Sequence, residues 1–168
     1  MEEINIENTV DLIHKKQAVF FSSQITLSSA FRVEKLKKLL KTIIQKEKEI
    51  HQALFKDLRK SSFESMTSET IFVEKEIRKM IRLLPSWIRP QRVQSSLLNF
   101  PSRDYIIPEP YGKTLLISPW NYPFQLAITP LVGAVAAGNT VVLKPSEFAP
   151  NTAKIINEII AEVFEPEH

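Results

Sequence analysis

The sequence predicts an α/β protein in which N-terminal helices and a short β-hairpin precede two βα units of a parallel sheet. Two observations carry this prediction. All 11 prolines and all 3 glycines lie at or after Pro85, and these residues interrupt regular structure. After residue 110, short apolar strand patterns alternate with helical patterns, which is typical of parallel strands joined by helices.

The composition sets broad limits on function. With 43% hydrophobic and 24% charged residues the chain can bury a core, and its net charge of +3 demands no nucleic acid partner. It contains no cysteine, which excludes disulfides, thiolate catalysis and Cys-based zinc sites within the chain. The start, "MEEINIENTV", lacks the apolar core of a signal peptide, and no apolar run approaches the ~20 residues that span a bilayer. We therefore expect a cytoplasmic protein without a membrane segment.

Residues 1–86 are predicted to form a helical region. Apolar residues recur at the helical spacing of three to four positions: Leu36, Leu39, Leu40, Ile43, Ile44, Ile50, Leu54 and Leu58. The charged run "QKEKE" at residues 45–49 is a candidate break between two helices. The basic residues sit mostly on the opposite faces. This pattern fits a solvated helix face better than a nucleic acid patch, because no aromatic or Gly-rich recognition element accompanies it.

The next helix is predicted to begin at Ser61, which has the spacing of a capping box with Glu64. An apolar stripe then follows: Phe63, Met66, Thr70, Val73, Ile77, Met80 and Leu84. Pro85 is expected to end this helix. Residues 87–110 read as two extended segments around Pro101, which predicts a β-hairpin.

Residues 111–168 are predicted to form the two βα units. "KTLLIS" and "NTVVLK" read as strands, and "FQLAITPLVGAVAAG" reads as a buried helix. A last helix starts at Pro150 and Asn151. Its inner face carries a set of apolar residues: Ile155, Ile156, Ile159, Ile160 and Val163. Gly138 suits a helix C-cap, and Gly133 is expected to allow close packing. The isolated histidines His14, His51 and His168 form no metal site and are expected at the surface.

Two loops follow the predicted strands, "SPWNYP" and "KPSEFAP". Ligands of open α/β sheets bind beyond the carboxyl ends of the strands, so both loops are candidates for a binding site. In the first loop, Asn121 lies between Trp120 and Tyr122 and is flanked by two prolines. A rigid amide donor there suits an oxyanion hole. Asn is also a common turn residue, and spacing alone favours that interpretation.

In the second loop, Lys144 ends the strand and Glu147 follows about one turn later. Together they can hold a diol, since the ammonium donates hydrogen bonds to ribose hydroxyls and the carboxylate accepts them. A carboxylate there also disfavours a ribose 2′-phosphate by repulsion. The alternative is an ordinary pair of charged residues in water. The pattern alone does not choose between the two.

A family resemblance joins these features. "PYGKTLLISPWNYPFQLAITPLVGAVAAGNTVVLKPSE" strongly resembles the aldehyde dehydrogenase superfamily. The helices and "LLNFPSRDYIIPEPYG" resemble its class 3 branch of fatty and aromatic aldehyde dehydrogenases. The resemblance covers nearly the whole chain. It implies an incomplete aldehyde dehydrogenase fold with the first two βα units of a Rossmann-like sheet. Residues 87–110 then correspond to an oligomerisation arm, and residues 111–168 to the first part of an NAD(P)-binding domain.

The resemblance also implies roles for single residues. Asn121 matches the asparagine that stabilises the oxyanion of the thiohemiacetal. Lys144 and Glu147 match residues that hold the adenosine ribose of NAD, with NADP also possible. Ile117, Pro119 and Trp120 match the loop that lines the cofactor site. No metal is implied, and the expected partners are an aldehyde substrate and a second subunit in a homodimer.

The departures from the family pattern concern chemistry. The family's cysteine nucleophile, glutamate base and Gly-rich cofactor turn come later in its chains, and this sequence contains none of them. We therefore expect the chain to be an N-terminal part of an NAD(P)-dependent aldehyde dehydrogenase that oxidises aldehydes to carboxylic acids, and to be inactive alone. The alternative is a non-catalytic interaction module that pairs with a separate C-terminal chain or with a full-length homologue.

Overall fold

The computed structural model describes residues 6–168, with their side chains from residue 10 onward. The helices of this part are α1 Ile6–Ser22, α2 Ser29–Gln45, α3 Glu47–Leu58, α4 Ser62–Ser65, α5 Ile71–Trp87, α6 Gln125–Ala137 and α7 Pro150–Val163. The strands are β1 Gln91–Val93, β2 Asp104–Ile106, β3 Lys113–Ile117 and β4 Thr140–Lys144. A π-helical turn, Met66–Thr70, connects α4 directly to α5. The α/β class predicted from the sequence is confirmed.

The helix boundaries follow several of the predicted signals. Lys46 separates α2 from α3, so the charged run does interrupt the helix. The hydroxyl of Ser61 accepts a hydrogen bond from the Glu64 N–H at 3.2 Å and caps α4. The prediction for Pro85 was wrong, since α5 continues to Trp87. A proline removes one N–H donor, a loss that costs little in a last turn held by the buried side chain of Leu84.

The predicted apolar stripe is correct only from Thr70 onward, a residue that is 1% exposed. Val73, Ile77 and Leu84 are buried there, but Phe63 is 73% exposed and Met66 is 37% exposed. The π-helical turn explains the difference. It contains more residues per turn than an α-helix, so the residues before it lie out of phase with the 3.6-residue period of those after it.

Both predicted strand pairs are present. β1 and β2 form an antiparallel hairpin in which Gln91 lies opposite Ile106. β3 and β4 pair in parallel, with α6 as the connection between them and α7 after the second strand. On β3, Leu115 and Ile117 are 63% and 70% exposed, so the helices of this chain cover the sheet less completely than the apolar strands predict.

One continuous core joins the helical region to the βα units. The central helix α2 packs against α5, α6 and α7, and α3 packs against α7. Helix α6 is buried on most of its surface, as its sequence predicts, through Ala127, Ile128, Leu131, Val132, Val135 and Ala136. The buried set on α7 is Ile155, Ile156, Ile159 and Val163.

Several basic side chains are buried, although the basic residues were expected to lie mostly on a solvated helix face. Arg32 is 6% exposed and donates hydrogen bonds to the carbonyls of Ala136 and Leu27, both at 3.1 Å. Lys35 is also 6% exposed and pairs with Glu165 at 2.5 Å. Carbonyl or carboxylate oxygens accept hydrogen bonds from both side chains, which makes their burial tolerable.

The histidines occupy three different environments. His14 is exposed, as predicted. The side chain of His51 is 10% exposed, and its ring nitrogens lie 3.0 Å from the Ser62 hydroxyl and 3.3 Å from the Thr70 hydroxyl. The prediction for His168 was wrong: its ring is buried against Phe20, Phe31 and Phe164. No described helix has the length and apolar content to cross a membrane.

The two glycines of the α6 region lead to opposite predictions about stability. Gly138 ends α6 with a φ of +91°, and a Cβ there would lie 2.7 Å from the Arg32 guanidinium. Gly133 lies inside α6, and a Cβ added there would point into open space, so the expectation of close packing at Gly133 was wrong. We expect Gly133→Ala to stabilise the protein by up to about 1 kcal/mol. Gly138→Ala should destabilise it by more than about 1 kcal/mol. Urea unfolding of both variants checks this, and equal effects of the same sign would contradict it.

Burial lowers the pKa of His168 to about 4, against an ordinary value of 6.5. The unfolded chain therefore binds this proton more readily, so the stabilising contribution is present above about pH 6.5 and lost as pH falls towards 4. A pKa difference of this size corresponds to about 3 kcal/mol between pH 7 and pH 4. His168→Phe, which keeps the aromatic contacts, should reduce this pH dependence in urea unfolding. An unchanged pH dependence would show that other groups cause it.

Candidate functional site

The carboxyl edge of the parallel sheet brings the two candidate loops together. Ile117 and Lys144, the last residues of β3 and β4, lie directly opposite each other in the strand register. Just beyond them, the Ser118 N–H donates to the Lys144 carbonyl at 3.1 Å. The loop with Asn121 and the loop with Glu147 therefore leave the sheet from adjacent points. The structure places both at the position where open α/β sheets bind ligands.

Lys144 and Glu147 contact each other directly. The Lys144 ammonium donates a hydrogen bond to the Glu147 carboxylate, and the two side chains are 54% and 65% exposed. The hydrogen bond and charge of Lys144 hold the pKa of Glu147 below its ordinary value. Because both groups are solvated, their contact is weak and can be exchanged for contacts with a ligand. An ammonium and a carboxylate side by side fit a vicinal diol, so the two residues fit the ribose of a nucleotide.

Asn121 is exposed, and its side-chain amide makes no hydrogen bond to any residue in the described part of the chain. The interpretation in which this amide closes a turn on its own backbone does not apply here. The backbone of Asn121, in contrast, is held firmly, since its carbonyl accepts a hydrogen bond from Lys60 at 3.0 Å. The loop therefore presents a free amide from a fixed main chain. The oxyanion role of Asn121 stays a prediction.

The other predicted cofactor contacts lie at the same carboxyl edge of the sheet. Ile117 is 70% exposed and Trp120 is 53% exposed, and Pro119 between them is also exposed. Ser118 differs, because it is 7% exposed and its hydroxyl has no partner among the described residues. We call Ile117, Pro119 and Trp120, the exposed apolar residues at and just after the end of β3, the shelf. Their role in cofactor binding also stays a prediction.

A buried carboxylate holds the end of the Asn121 loop. Glu69 is fully buried, and its Oε2 accepts hydrogen bonds from the N–H groups of Phe124 at 2.9 Å and Gln125 at 3.1 Å. These N–H groups belong to the first turn of α6 and have no partner within the helix. The residue at the local N-cap position, Phe124, has no side chain that can accept them. Glu69 therefore caps α6 from a different part of the chain.

A buried lysine completes this arrangement. Lys60 is 8% exposed, and its ammonium lies 2.6 Å from Glu69 Oε1 and 3.0 Å from the Asn121 carbonyl oxygen. It also lies 4.1 Å from the centre of the Tyr122 ring. The carboxylate thus contacts two positive groups, the ammonium and the N-terminus of α6. Such pairing is what makes the burial of these charges tolerable.

Local structure positions both members of the pair. Lys60 stands between Arg59, which ends α3 in a left-handed conformation with φ 58°, and Ser61, which caps α4. Glu69 lies in the π-helical turn, with its side chain towards α6. A π turn inserts an extra residue and changes the direction in which a side chain points, and such turns are frequent at functional sites.

The second loop is held in the same way by Asp57 at the end of α3. Its Oδ1 accepts from the Asn151 backbone at 3.1 Å and side chain at 2.7 Å. Its Oδ2 accepts from the backbone N–H and the hydroxyl of Thr152, both at 2.7 Å. Burial raises the pKa of Asp57, but these hydrogen bonds outweigh burial and hold that pKa below its ordinary value. Asp57 therefore caps α7, whose local N-cap residue is Ala149.

Nothing in the sequence singles out Lys60, Glu69 or Asp57 as site residues. Each is an ordinary charged residue within a charged helical region, so neither spacing nor composition distinguishes it. One indirect signal was present: Phe124 and Ala149 are poor N-cap residues, so the helices after them need acceptors from elsewhere. Which acceptors supply those bonds depends on the tertiary packing.

Comparison with protein families gives a direct match. The model of the aldehyde dehydrogenase family matches residues 7–168. A curated relative, aldehyde dehydrogenase family 3 member B3 of Mus musculus, is 44% identical over 142 residues, which cover 84% of this chain and 30% of the relative. This relative carries the class 3 name that the resemblance predicted.

Solved structures agree with this match. The substrate-bound state of Staphylococcus aureus AldH superposes with a TM-score of 0.91 at 41% identity, covering 94% of this chain and 34% of that one. PnpE from Pseudomonas sp. WBC-3, solved in complex with nicotinamide adenine dinucleotide, has a TM-score of 0.80 at 26% identity, covering 94% of this chain and 31% of that one. The chain spans about a third of the length of the curated relatives that it matches.

The cap from Asp57 can be tested by stability. Asp57→Ala should lower the free energy of unfolding by about 2 kcal/mol, because it leaves the first N–H groups of α7 without an acceptor. Since the pKa of Asp57 is lowered by folding, its contribution is present near neutral pH and is lost as pH falls below about 4. Glu158→Ala is the matched control, since it changes an exposed acidic residue of α7, the helix that Asp57 caps. Equal urea midpoints for the two variants at neutral pH would rule out the cap.

Proposed function

Because the chain belongs to the aldehyde dehydrogenase family, we propose that it supplies the N-terminal part of an NAD(P)-dependent enzyme that oxidises an aldehyde to a carboxylic acid. The observation that carries the proposal is the free amide of Asn121 on a fixed loop at the carboxyl edge of the sheet. Since the chain spans about a third of its relatives, the activity is proposed for the whole protein.

In this proposal Asn121 serves as the oxyanion donor. Attack of a cysteine thiolate on the aldehyde carbon turns the carbonyl oxygen into an oxyanion, and the Asn121 amide donates a hydrogen bond to it. The donor is effective because its backbone is already held in place before negative charge develops. The sequence has no cysteine, so the thiolate comes from another part of the enzyme.

The cofactor-binding residues are Lys144 and Glu147 with the shelf formed by Ile117, Pro119 and Trp120. The ammonium donates to the adenosine ribose and the carboxylate accepts from its hydroxyls, while the shelf packs against the cofactor. Bound NAD supplies the hydride acceptor for the oxidation. The negative charge of Glu147 favours NAD over NADP, since a 2′-phosphate in the same place would be repelled.

A second candidate function is that of an interaction module for a C-terminal polypeptide. It is favoured by an apolar cavity of about 470 Å³ that lies between α6, β4 and α7. Beside it, the Val141 N–H donates to the His168 carbonyl at 2.7 Å on the edge of β4 opposite β3. This edge is suited to pairing with a further strand. If the chain stays monomeric at high concentration and binds no C-terminal fragment of a relative, the interaction candidate is wrong.

The proposed enzymatic role can be tested by complementation. We expect the purified chain to form no NADH from NAD and an aldehyde. Co-expression with the C-terminal two thirds of the Staphylococcus aureus relative should restore NADH formation. In the restored enzyme, Asn121→Ala should lower kcat by about 10²- to 10³-fold, the usual effect of losing an oxyanion donor.

Asn99→Ala, which changes an exposed asparagine of the hairpin, serves as the control and should leave kcat unchanged. Full activity of Asn121→Ala in the restored enzyme would refute the oxyanion role. Aldehyde-dependent NADH formation by the pure 168-residue chain would refute its dependence on another polypeptide.

A further inference from the structure

We propose that Lys60 and Glu69 are positioning residues for Asn121, and that this buried pair determines the direction in which the Asn121 amide is presented. The inference rests on the proposed function of Asn121 and deepens it. Neither Lys60 nor Glu69 belongs to the two loops that follow β3 and β4 at the carboxyl edge of the sheet. They act on that edge only through the hydrogen bonds that they make to the loop between β3 and α6.

The backbone of the Asn121 loop is held at two points, the Asn121 carbonyl and the start of α6. The carbonyl is held by Lys60 at 3.0 Å, and the N–H groups of Phe124 and Gln125 are held by Glu69 at 2.9 and 3.1 Å. Pro123, between these contacts, has a fixed φ. Because peptides are planar, these contacts restrain the peptide group that follows the Asn121 Cα and so narrow the directions that its Cα–Cβ bond can take.

The Lys60–Glu69 pair holds the Asn121 loop strongly because both side chains are buried. The side chain of Lys60 is 9% exposed and that of Glu69 is 0% exposed. In such a poorly solvated environment a charge-assisted hydrogen bond is stronger than at the surface. The Lys144–Glu147 pair at the same edge is more than half exposed on both sides and is therefore weakly held. The loop is therefore held by a buried pair at its base, whereas the charges that face a ligand make only an exposed contact with each other.

Glu69 and Lys60 hold different parts of the loop. Glu69 accepts hydrogen bonds from the first N–H groups of α6 directly, so its capping bonds do not pass through Lys60. Lys60 makes the contact with Asn121 itself. Loss of Lys60 should therefore release Asn121 while the capping bonds of Glu69 remain. Loss of both charges should release Asn121 and also weaken the cap on α6, because a neutral amide oxygen is a poorer acceptor than a carboxylate. A general loss of stability would not produce this pattern.

The decisive experiment uses ¹⁵N NMR on the 168-residue chain. In Lys60→Met, the backbone order parameter at Asn121 should fall from about 0.85 to below about 0.6. Because this variant leaves Glu69 without its buried partner, overall stability should fall, and amide exchange at Phe124 and Gln125 should rise only as much as that global loss requires. In the double variant Lys60→Met/Glu69→Gln, which avoids an unpaired buried charge, exchange at these two amides should be at least about tenfold faster, the population effect of losing about 1.4 kcal/mol of local protection.

Lys56→Met, an exposed lysine near the end of α3, is the matched control and should change neither measurement. Lys60→Arg, which keeps the charge, should restore part of the order at Asn121. The proposal is overturned if Asn121 stays ordered in Lys60→Met, or if the order lost at Asn121 is matched by an equal loss throughout β3 and α6. This arm does not require catalysis, so its failure is distinct from failure of the proposed function.

A double-mutant cycle in the complemented enzyme extends the test to catalysis. Lys60→Met should lower kcat by about 10- to 100-fold when Asn121 is present, the range in which a displaced catalytic group reduces rates. In an Asn121→Ala background the same substitution should change kcat by less than about twofold, because no amide remains to be positioned. Full additivity of the two losses would overturn the positioning role. No effect of Asn121→Ala alone would instead overturn the proposed function.

Discussion

The contact between the buried Lys60–Glu69 pair and the N-terminus of α6 is the interaction on which the candidate site depends. It joins the helical region to the loop that carries Asn121 and to the helix that crosses from β3 to β4. Two charges buried without partners would strongly destabilise the fold. Here the carboxylate accepts from the ammonium and from two backbone N–H groups, so the pair is satisfied and the geometry of the loop is determined with it.

Asp57 caps α7 at the end of the second loop, just as Glu69 caps α6 at the end of the first. Both helices of the βα units begin without a local acceptor for their first N–H groups, and each receives a carboxylate from the helical region. The two loops at the carboxyl edge are therefore rigid at the point where each enters its helix. The exposed residues that face a ligand, such as Trp120 and Lys144, do not contribute to this rigidity. The residues that hold the two loops in place are thus different from the residues that are exposed to a ligand.

Much of the fold could be predicted because it follows local rules. The break at Lys46, the hairpin and the two βα units each arise from spacing, charge runs or Pro and Gly positions. The errors occurred where tertiary contacts override those rules. Core packing extends α5 past Pro85, the π-helical turn changes the phase of the stripe, and three phenylalanines bury His168. Asn121, Lys144 and Glu147 were also located from sequence, because strand ends mark the ligand edge of a parallel sheet. Ile117, Pro119 and Trp120 were assigned from the family resemblance.

The sequence by itself determined the order of the elements, the parallel pairing of β3 and β4 and the placement of Asn121 and Lys144 at one edge. It did so because periodicity and chain breaks are properties of neighbouring residues. The tertiary structure decided what holds Asn121, since Lys60 lies 61 positions away in the chain and Glu69 reaches α6 across 55 positions. No local pattern marks a charged residue as buried. That outcome depends on which helix end the fold brings within hydrogen-bond distance of it.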